Sequence, residues 1–408
     1  MEKKFAAVAM NEKNPKWECA IKREEELYAR KNDIRTEFAR DYTRILHSLS
    51  YRRLKHKTQV FFNVHNDHIC TRMEHVLHVE SVSATIADAL GLNSELVKAI
   101  AMGHDLGHAP FGHSGEAILS QLEKENLGTA FWHEQNGIWV VDYLDLLDSP
   151  QNTYKNLNLT YAVRDGIISH CGEVDENGLI PREDNLNLYE IQRAGQYNAY
   201  TWEGCVVKIA DKIAYLGRDI EDALMLGIIK REDLRPLMTI AKSHGQEVIN
   251  TSVIMHEFVI DLIRNSSMEN GICLSDEKVS LMKEIKDFNY ENIYHNKKLK
   301  AFSEYSDLII RTIFDYLKEF YSGKTTLETI RDNSEKNKPL KDFYEWVIKY
   351  CEFSAVPQED REDSRRYENR KLYGNLENRE VYARAVFDYI AGMTDTYAIT
   401  CFNDIITF

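Results

Sequence analysis

The sequence predicts an all-α protein: a helical bundle with a helical C-terminal extension and at most a short β-hairpin. Three observations carry this. Apolar residues recur at spacings of three and four through most long stretches. Only seven prolines interrupt the 408 residues, and no Gly/Ser-rich or Pro-rich linker is present. Two-residue alternation occurs convincingly in one segment alone.

Taken in chain order, that segment comes first. KTQVFFNVHNDHICT, residues 57–71, alternates around an Asn-Asp turn signal and predicts the hairpin. Met73, Val76, Val79, Val82, Ile86 and Leu90 then mark a helix that Gly91 should cap. A second helix is expected from Ser94, its side chain capping it, with Leu96, Val97, Ile100 and Ala101 buried. It leads into MGHDLGHAPFGHSGE, where four glycines and a proline predict a bent, loop-interrupted path.

Further helices are expected at 133–147, 160–170 and 203–223, the last with Val206, Ile209, Ile213, Leu216 and Ile220 on one side. Beyond residue 226, EVINTSVIMHEFVIDLIRN and DLIIRTIFDYLKEFY are again helical. QEDREDSRRYENRKLYG, residues 358–374, is dense in mixed charge and nearly free of aliphatics, and is expected to be a mobile exposed loop.

Bulk composition bounds the function. With 43% hydrophobic residues the chain can bury a large core, as one helical body with appendages. No apolar stretch approaches the ~20 residues that span a bilayer, and MEKKFAAVAMNEKN does not read as a signal segment, so a cytoplasmic protein is expected. The seven scattered cysteines lack any C-x-x-C pair and read as reduced packing residues. A formal net charge of -14 argues against general binding to nucleic acid or anionic membranes, so a site for small polyanions needs its own local cations.

The chemistry concentrates in one window. Histidine is 14 of 408 residues, so ten residues hold about a third of one on average, and 104–113 hold three. The adjacent His104-Asp105 pair cannot both be core residues of an ordinary amphipathic helix, because neighbours diverge by about 100° and both are costly to bury unpaired. Coordination to one cation resolves this, and mixed imidazole and carboxylate donors suit a divalent transition metal that keeps open positions for water and phosphate. Asp211 sits on a polar helix side with Tyr215, Asp219 and Asp222, yet KIADKIAY is apolar around it, too buried for an unpaired carboxylate. Spacing alone leaves open which further residues complete the ligand set.

TRMEHVLHV, AIAMGHDLGHAPFGHSGE and IADKIAYLGRDI, in that order, resemble the HD superfamily, and specifically its dGTPase-like deoxynucleoside triphosphate triphosphohydrolases. FARDYTRILHSLSYRRLKHKTQVFF upstream, WHEQN and LNLT between, and DYIAGMTD at 388–395 extend the likeness. The resemblance implies an HD phosphohydrolase core over 36–225, an N-terminal segment 1–35, and a helical region 226–408 that contributes to the substrate pocket and to oligomer contacts.

It implies that His75, His104, Asp105 and Asp211 hold one divalent ion per active site, drawn from Mn, Mg, Fe, Ni, Co and Zn. His113 matches the family's catalytic histidine and Glu116 the carboxylate that orients it; such a carboxylate one turn away fixes the imidazole's tautomer and favours its role as a proton donor. His108, His133 and Glu134 match a second set near the triphosphate and attacking water. Gln59 and Tyr215 match sugar contacts, with Asp219 one turn beyond, and Arg72 and Lys212 match phosphate contacts. Arg53, Lys57 and Arg218 are further cations close in sequence. Ala109, Ser114 and Met73-Glu74 depart from the family's usual residues without removing a ligand or proton donor.

The implied reaction is hydrolysis of a deoxynucleoside triphosphate, dGTP or a broader set, to deoxynucleoside and triphosphate by water attack on the α-phosphate. A nucleotide activator and a homo-oligomer are also implied. The four ligands alone are equally compatible with hydrolysis of nucleoside monophosphates, cyclic dinucleotides or guanosine tetraphosphate. Outside enzymes stand a nucleotide-binding sensor and a weak single-stranded nucleic-acid binder; the intact His113/Glu116 pair argues against the first and the charge against the second.

Overall fold

A computed structural model describes residues 3–27, 32–61, 66, 68–171, 177–243 and 251–407. The chain is helical as expected, and among the described residues the sheet content is a two-stranded antiparallel ribbon. It packs as two compact units, each assembled from discontinuous stretches. The first comprises 1–46, 64–105 and 158–301; the second comprises 47–63, 106–157 and 302–408.

The first unit holds a short helix at Trp17–Ala20 and nearly all of α1 (Glu37–His47), and is organised around α2 (Arg72–Leu90) and α3 (Ser94–Gly103). Thr71 donates its backbone N–H to Glu74 Oε2 at 2.8 Å, tying down the start of α2. Gly91 closes it in the left-handed conformation, φ +86°. Ser94 does not cap α3: Asn93 does, its Oδ1 accepting from the N–H groups of Glu95 and Leu96 at 3.0 and 3.2 Å. Both residue types are strong caps, and the extended backbone falls one residue earlier than the apolar pattern suggested.

In the second unit, α4 (Gly112–Leu127) and α5 (His133–Trp139) follow the glycine-rich turn. The expected helix over 133–147 stops short. A single wide turn over Val140–Leu144 ends it, and β1 (Leu146–Asp148) pairs antiparallel with β2 (Tyr154–Asn156). The cause is Asp145, whose carboxylate accepts from the backbone N–H groups of Leu49 and Ser50, pulling the chain out of helical register. The turn signal lay in Pro150 and in Asn152, which adopts φ +60°. The tip of the hairpin expected over 57–71 falls on 62–65 and 67, outside the described residues, and the described part of that segment forms no named strand.

The first unit continues with α6 (Tyr161–Ser169) and α7 (Trp202–Leu216). α2 packs on α3 and α7, α3 also on α6 and α7, and α6 on α7. The expected helix 203–223 is broken at Gly217 into α7 and α8 (Arg218–Met225), because a Cβ at 217 would lie 2.8 Å from Thr251 Cα. Gly217 lets the first residue of α9 (Thr251–Asn265) approach the break. α10 (Asp276–Asn289) also packs on α7.

The second unit's core lies among α4, α11 (Lys297–Lys318), α12 (Thr326–Ser334), α13 (Lys338–Val347), α14 (Arg379–Ala391) and α15 (Asp395–Ile406). Phe314 and Phe387 stack there with centroids 4.7 Å apart. Residues 358–374, expected to be a mobile exposed loop, keep many charged side chains exposed but are tied to β2. Tyr154 donates to the Arg366 carbonyl at 2.7 Å, Glu368 donates back to Tyr154 at 2.9 Å, and the Tyr154 and Tyr367 rings stack. Ser364, Asn369 and Tyr373 are buried. The many arginines did not prevent packing because guanidinium groups lie over rings: Arg366 over Tyr154 and Arg370 over Tyr143.

Asp388 in α14 supplies a pH-dependent contribution to stability. It is buried, accepting from Trp139 Nε1 at 3.0 Å and Tyr373 Oη at 2.8 Å, and burial raises its pKa to about 6. A carboxyl whose folded value is raised contributes stability below its unfolded pKa and loses it as pH rises through the folded one. Urea denaturation should therefore show wild type losing about 3 kcal/mol relative to Asp388→Asn between about pH 4 and pH 7. Parallel pH profiles for the two proteins would contradict this.

Candidate active site

Within the first unit, α2, the end of α3 and α7 bring His75, His104, Asp105 and Asp211 together, all buried. Regular helix packing achieves this: α3 and α7 both lie on α2, so one inward-facing residue of each meets the others. His75 Nε2 lies 2.9 Å from Asp211 Oδ1 and 3.4 Å from His104 Nε2, which lies 3.4 Å from Asp105 Oδ1. His104 Nδ1 donates to the Ala101 carbonyl at 2.7 Å, which makes Nε2 the lone-pair nitrogen. Ligand-capable atoms of His75, His104 and Asp211 lie within 4.8 Å of one another in this buried space, with Asp105 beside His104, and imidazole and carboxylate donors of this kind fit a divalent transition ion.

Burial alone would raise the Asp211 carboxyl, but the hydrogen bond with His75 and the charges of His75 and His104 bring its pKa down to about 2. Burial works to lower His75; its bond to Asp211 and the charge of Asp105 outweigh that, and its pKa is raised. Arg72, at the start of α2, donates Nη1 to Asp105 Oδ2 at 3.0 Å. Its Nε and Nη2 are buried and have no hydrogen-bond partner among the described residues. A guanidinium held by one edge with its other donors unspent is arranged for an anionic oxygen.

The remaining sequence-expected residues of this unit lie on α7 and α8. Lys212 is buried next to Asp211, and Tyr215 is half-buried one turn on. Asp219 is buried and accepts a hydrogen bond from Tyr294, whose hydroxyl is pushed well above its ordinary value by burial and by Asp219. Arg218 pairs with Glu221 at 3.3 Å on its own helix.

Two residues of this unit escaped the sequence reading. Tyr294 is one. The other is His170, just past the end of α6, buried and with its ring centroid 5.0 Å from that of His104. Its Nδ1 donates to the Ile167 carbonyl at 2.6 Å, repeating the arrangement of His104. Ligand-capable atoms of His104, Asp105 and His170 lie within 4.8 Å of one another.

Within the second unit, His108, His113, Glu116, His133 and Glu134 form another cluster. Phe111 adopts a left-handed conformation, φ +65°, its N–H donating to Asp395 Oδ1 at 2.9 Å, and so turns the chain into α4. α4 presents His113, whose side chain is 61% exposed, and Glu116 one turn later. Glu116 faces both histidines: His113 Nδ1 is 3.8 Å from Oε2, whereas His133 Nδ1 is 3.0 and 3.1 Å from the two oxygens. The His133 backbone N–H also donates to Oε1 at 2.9 Å. Burial would raise the Glu116 carboxyl; the charge of His133 and hydrogen bonds from His113 and His133 hold it far below the usual range.

Donor atoms of His108, Glu116 and His133 also lie within 4.8 Å. The His108 and His133 rings are stacked at 3.8 Å and 26°, however, so their in-plane lone pairs run nearly parallel and do not converge on one ion. With His133 Nδ1–H on a carboxylate, the cluster is built to hold a proton. Glu134 is buried beside His133, with Oε2 3.5 Å from His133 Nδ1. Gln59 is half-buried, with Oε1 lacking a hydrogen-bond partner among the described residues. Lys57 is a buried strut whose ammonium donates to the His108 and Ala391 carbonyls.

Gly107 sets the spacing of this cluster. A Cβ there would lie 2.0 Å from the His133 carbonyl oxygen and 2.2 Å from Gly137 N, both backbone atoms of α5. Gly107→Ala is therefore expected to push α5 away, lowering stability by roughly 2–3 kcal/mol and turnover by more than about tenfold. Calorimetry and steady-state kinetics would check this; an unchanged melting temperature would contradict the packing.

Comparison with known proteins places these clusters in context. Residues 72–216 match the HD domain and 355–404 the phosphohydrolase-associated domain. The chain is similar to the deoxyguanosinetriphosphate triphosphohydrolase-like protein of Caldanaerobacter subterraneus subsp. tengcongensis, with 37% identity over 94% of this chain and 87% of the relative. It is likewise similar to the proteins of that name from Clostridium perfringens strain SM101, 34% identical over 92% of this chain and 88% of the relative, and Rickettsia bellii, 32% identical over 91% and 92%.

Proposed function

The chain belongs to the deoxyguanosinetriphosphate triphosphohydrolase-like family of HD-domain phosphohydrolases, and on that premise we propose that it hydrolyses deoxynucleoside triphosphates to deoxynucleoside and intact triphosphate, using one divalent ion held by His75, His104, Asp105 and Asp211. The observation that carries the reading is Arg72. It spends one nitrogen on Asp105 and keeps two buried donors without a partner among the described residues, a fixed cation edge that a phosphate oxygen satisfies.

When bound, a divalent ion at this cluster supplies Lewis-acid polarisation of a phosphoryl oxygen and acidifies water. The protein's own side chains do the rest. Arg72 and Lys212 bind non-bridging oxygens and balance the triphosphate charge as it shifts while the 5′-oxygen leaves. Tyr215, Asp219 and Gln59 orient the deoxyribose. The oxygen of water bonds to the α-phosphorus while the bond from phosphorus to the 5′-oxygen breaks. His113 delivers a proton to that oxygen, and the Glu116–His133 pair, with Glu134 and His108 beside it, takes up the proton that water loses.

Turnover of dGTP in ¹⁸O-water tests the point of attack. The reading expects one labelled oxygen in the triphosphate and none in the deoxyguanosine; label in the deoxyguanosine would overturn it. Near-normal turnover by a metal-loaded His113→Ala protein would remove His113 from its role.

A further inference from the structure

His170 stands just past the end of α6 in the first unit, where α6 packs on α3 and α7, and it has no task in the chemistry above. A buried histidine at a helix end is most simply a packing residue. Three features set His170 apart.

The first is its tautomer. Its Nδ1 donates to the Ile167 carbonyl at 2.6 Å, three residues back, as His104 Nδ1 donates to the Ala101 carbonyl at 2.7 Å. Nε2 is then the nitrogen that carries the lone pair, and histidines on metals almost always give their other N–H away in this manner. The second is its company. Ligand-capable atoms of His104, Asp105 and His170 lie within 4.8 Å of one another, and His104 also belongs to the group it forms with His75 and Asp211. With its Nδ1 proton committed, His104 offers a lone pair, and Asp105, paired with Arg72, offers carboxylate oxygens. Neither supplies a proton, so a cation among the three atoms turns their mutual repulsion into attraction. The third is ring orientation. His170 crosses His104 at 77° with centroids 5.0 Å apart, close to the 65° and 5.4 Å of His75 on His104, and unlike the stacked His108 and His133.

We infer, resting on the metal reading above, that in the nucleotide-free protein His170 is a further ligand of the ion through Nε2, alongside His75, His104, Asp105 and Asp211. A third imidazole makes the donor set richer in nitrogen, which favours Fe, Co, Ni or Zn over Mg, a cation that prefers oxygen. As a neutral donor it is also one that an anionic phosphoryl oxygen can replace, so the position stays open to substrate.

Pulsed EPR of the Mn²⁺-loaded, nucleotide-free protein tests this by counting imidazole nitrogens bound directly to the ion, a readout that does not pass through activity. Three, from His75, His104 and His170, are expected in wild type and two in His170→Asn, whose amide keeps a donor for the Ile167 carbonyl and takes away Nε2. Co²⁺ affinity, measured by competition with a chelating dye, should fall at least about tenfold in the same variant. Two imidazoles in wild type, three retained in the variant, or an unchanged Co²⁺ affinity would each overturn the inference while leaving the four-ligand site standing. The wild-type count needs no variant, and His170→Gln replaces the Asn protein if that one does not fold. A wild type that binds no Mn²⁺ would instead overturn the four-ligand site itself, and the inference with it.

Discussion

Asp211→Ala is expected to lose both its metal and its activity, with turnover falling on the order of 10³-fold or more. Asp211 is the carboxylate to which His75 is bonded, and it lies 3.8 Å from His104 Nε2. Its removal takes away one anionic ligand and the carboxylate nearest the His75 ring. Of the four proposed ligands, two imidazoles and an Asp105 already shared with Arg72 are left. Metal content by mass spectrometry should fall well below one ion per chain while the helical circular-dichroism signal stays. Full metal content with lost activity would mean that Asp211 acts on the substrate instead.

Glu116→Gln is expected to cost roughly 10²-fold or more in kcat while leaving metal content intact, since Glu116 belongs to the other cluster. The amide retains an acceptor for the His133 backbone N–H but removes the negative charge that favours imidazolium over imidazole. The pH–rate profile separates this from a structural defect. Without the carboxylate a proton-donating histidine releases its proton more easily, so the alkaline limb should move to lower pH. A uniform drop at every pH would assign Glu116 to holding α4 against α5.

Much of this site was legible in the sequence, for reasons that can be traced. His104-Asp105 stood out because adjacent polar residues cannot both be absorbed by an ordinary helix, and the structure buries both in one cluster. Asp211 was legible because its neighbours are apolar. His170 was not, since a single histidine ending an apolar helix reads as packing. Its signal was that GIISH ends a helix as AIAMGH does, with a histidine whose Nδ1 reaches the carbonyl three residues back. Tyr294 was hidden because its partner, Asp219, is 75 residues away in sequence.

The fold's departures have similar roots. Ile138, Val140, Val141, Leu144 and Leu147 suit a helix or a strand, and only the long-range capture of Asp145 by Leu49 and Ser50 decides between them. Residues 358–374 do keep many charges exposed, but composition gave no sign that Ser364, Asn369 and Tyr373 would be buried, because charges alone dominate the count.

The most direct test of the proposed reaction is product analysis by ion-exchange chromatography after incubating the purified protein with dGTP, and separately with the other three deoxynucleoside triphosphates, in Mn²⁺ or Mg²⁺. Deoxynucleoside and intact triphosphate in equal amounts, abolished by chelation, is the predicted result. Monophosphate with pyrophosphate, stepwise release of phosphate, or no turnover of any deoxynucleoside triphosphate would contradict it.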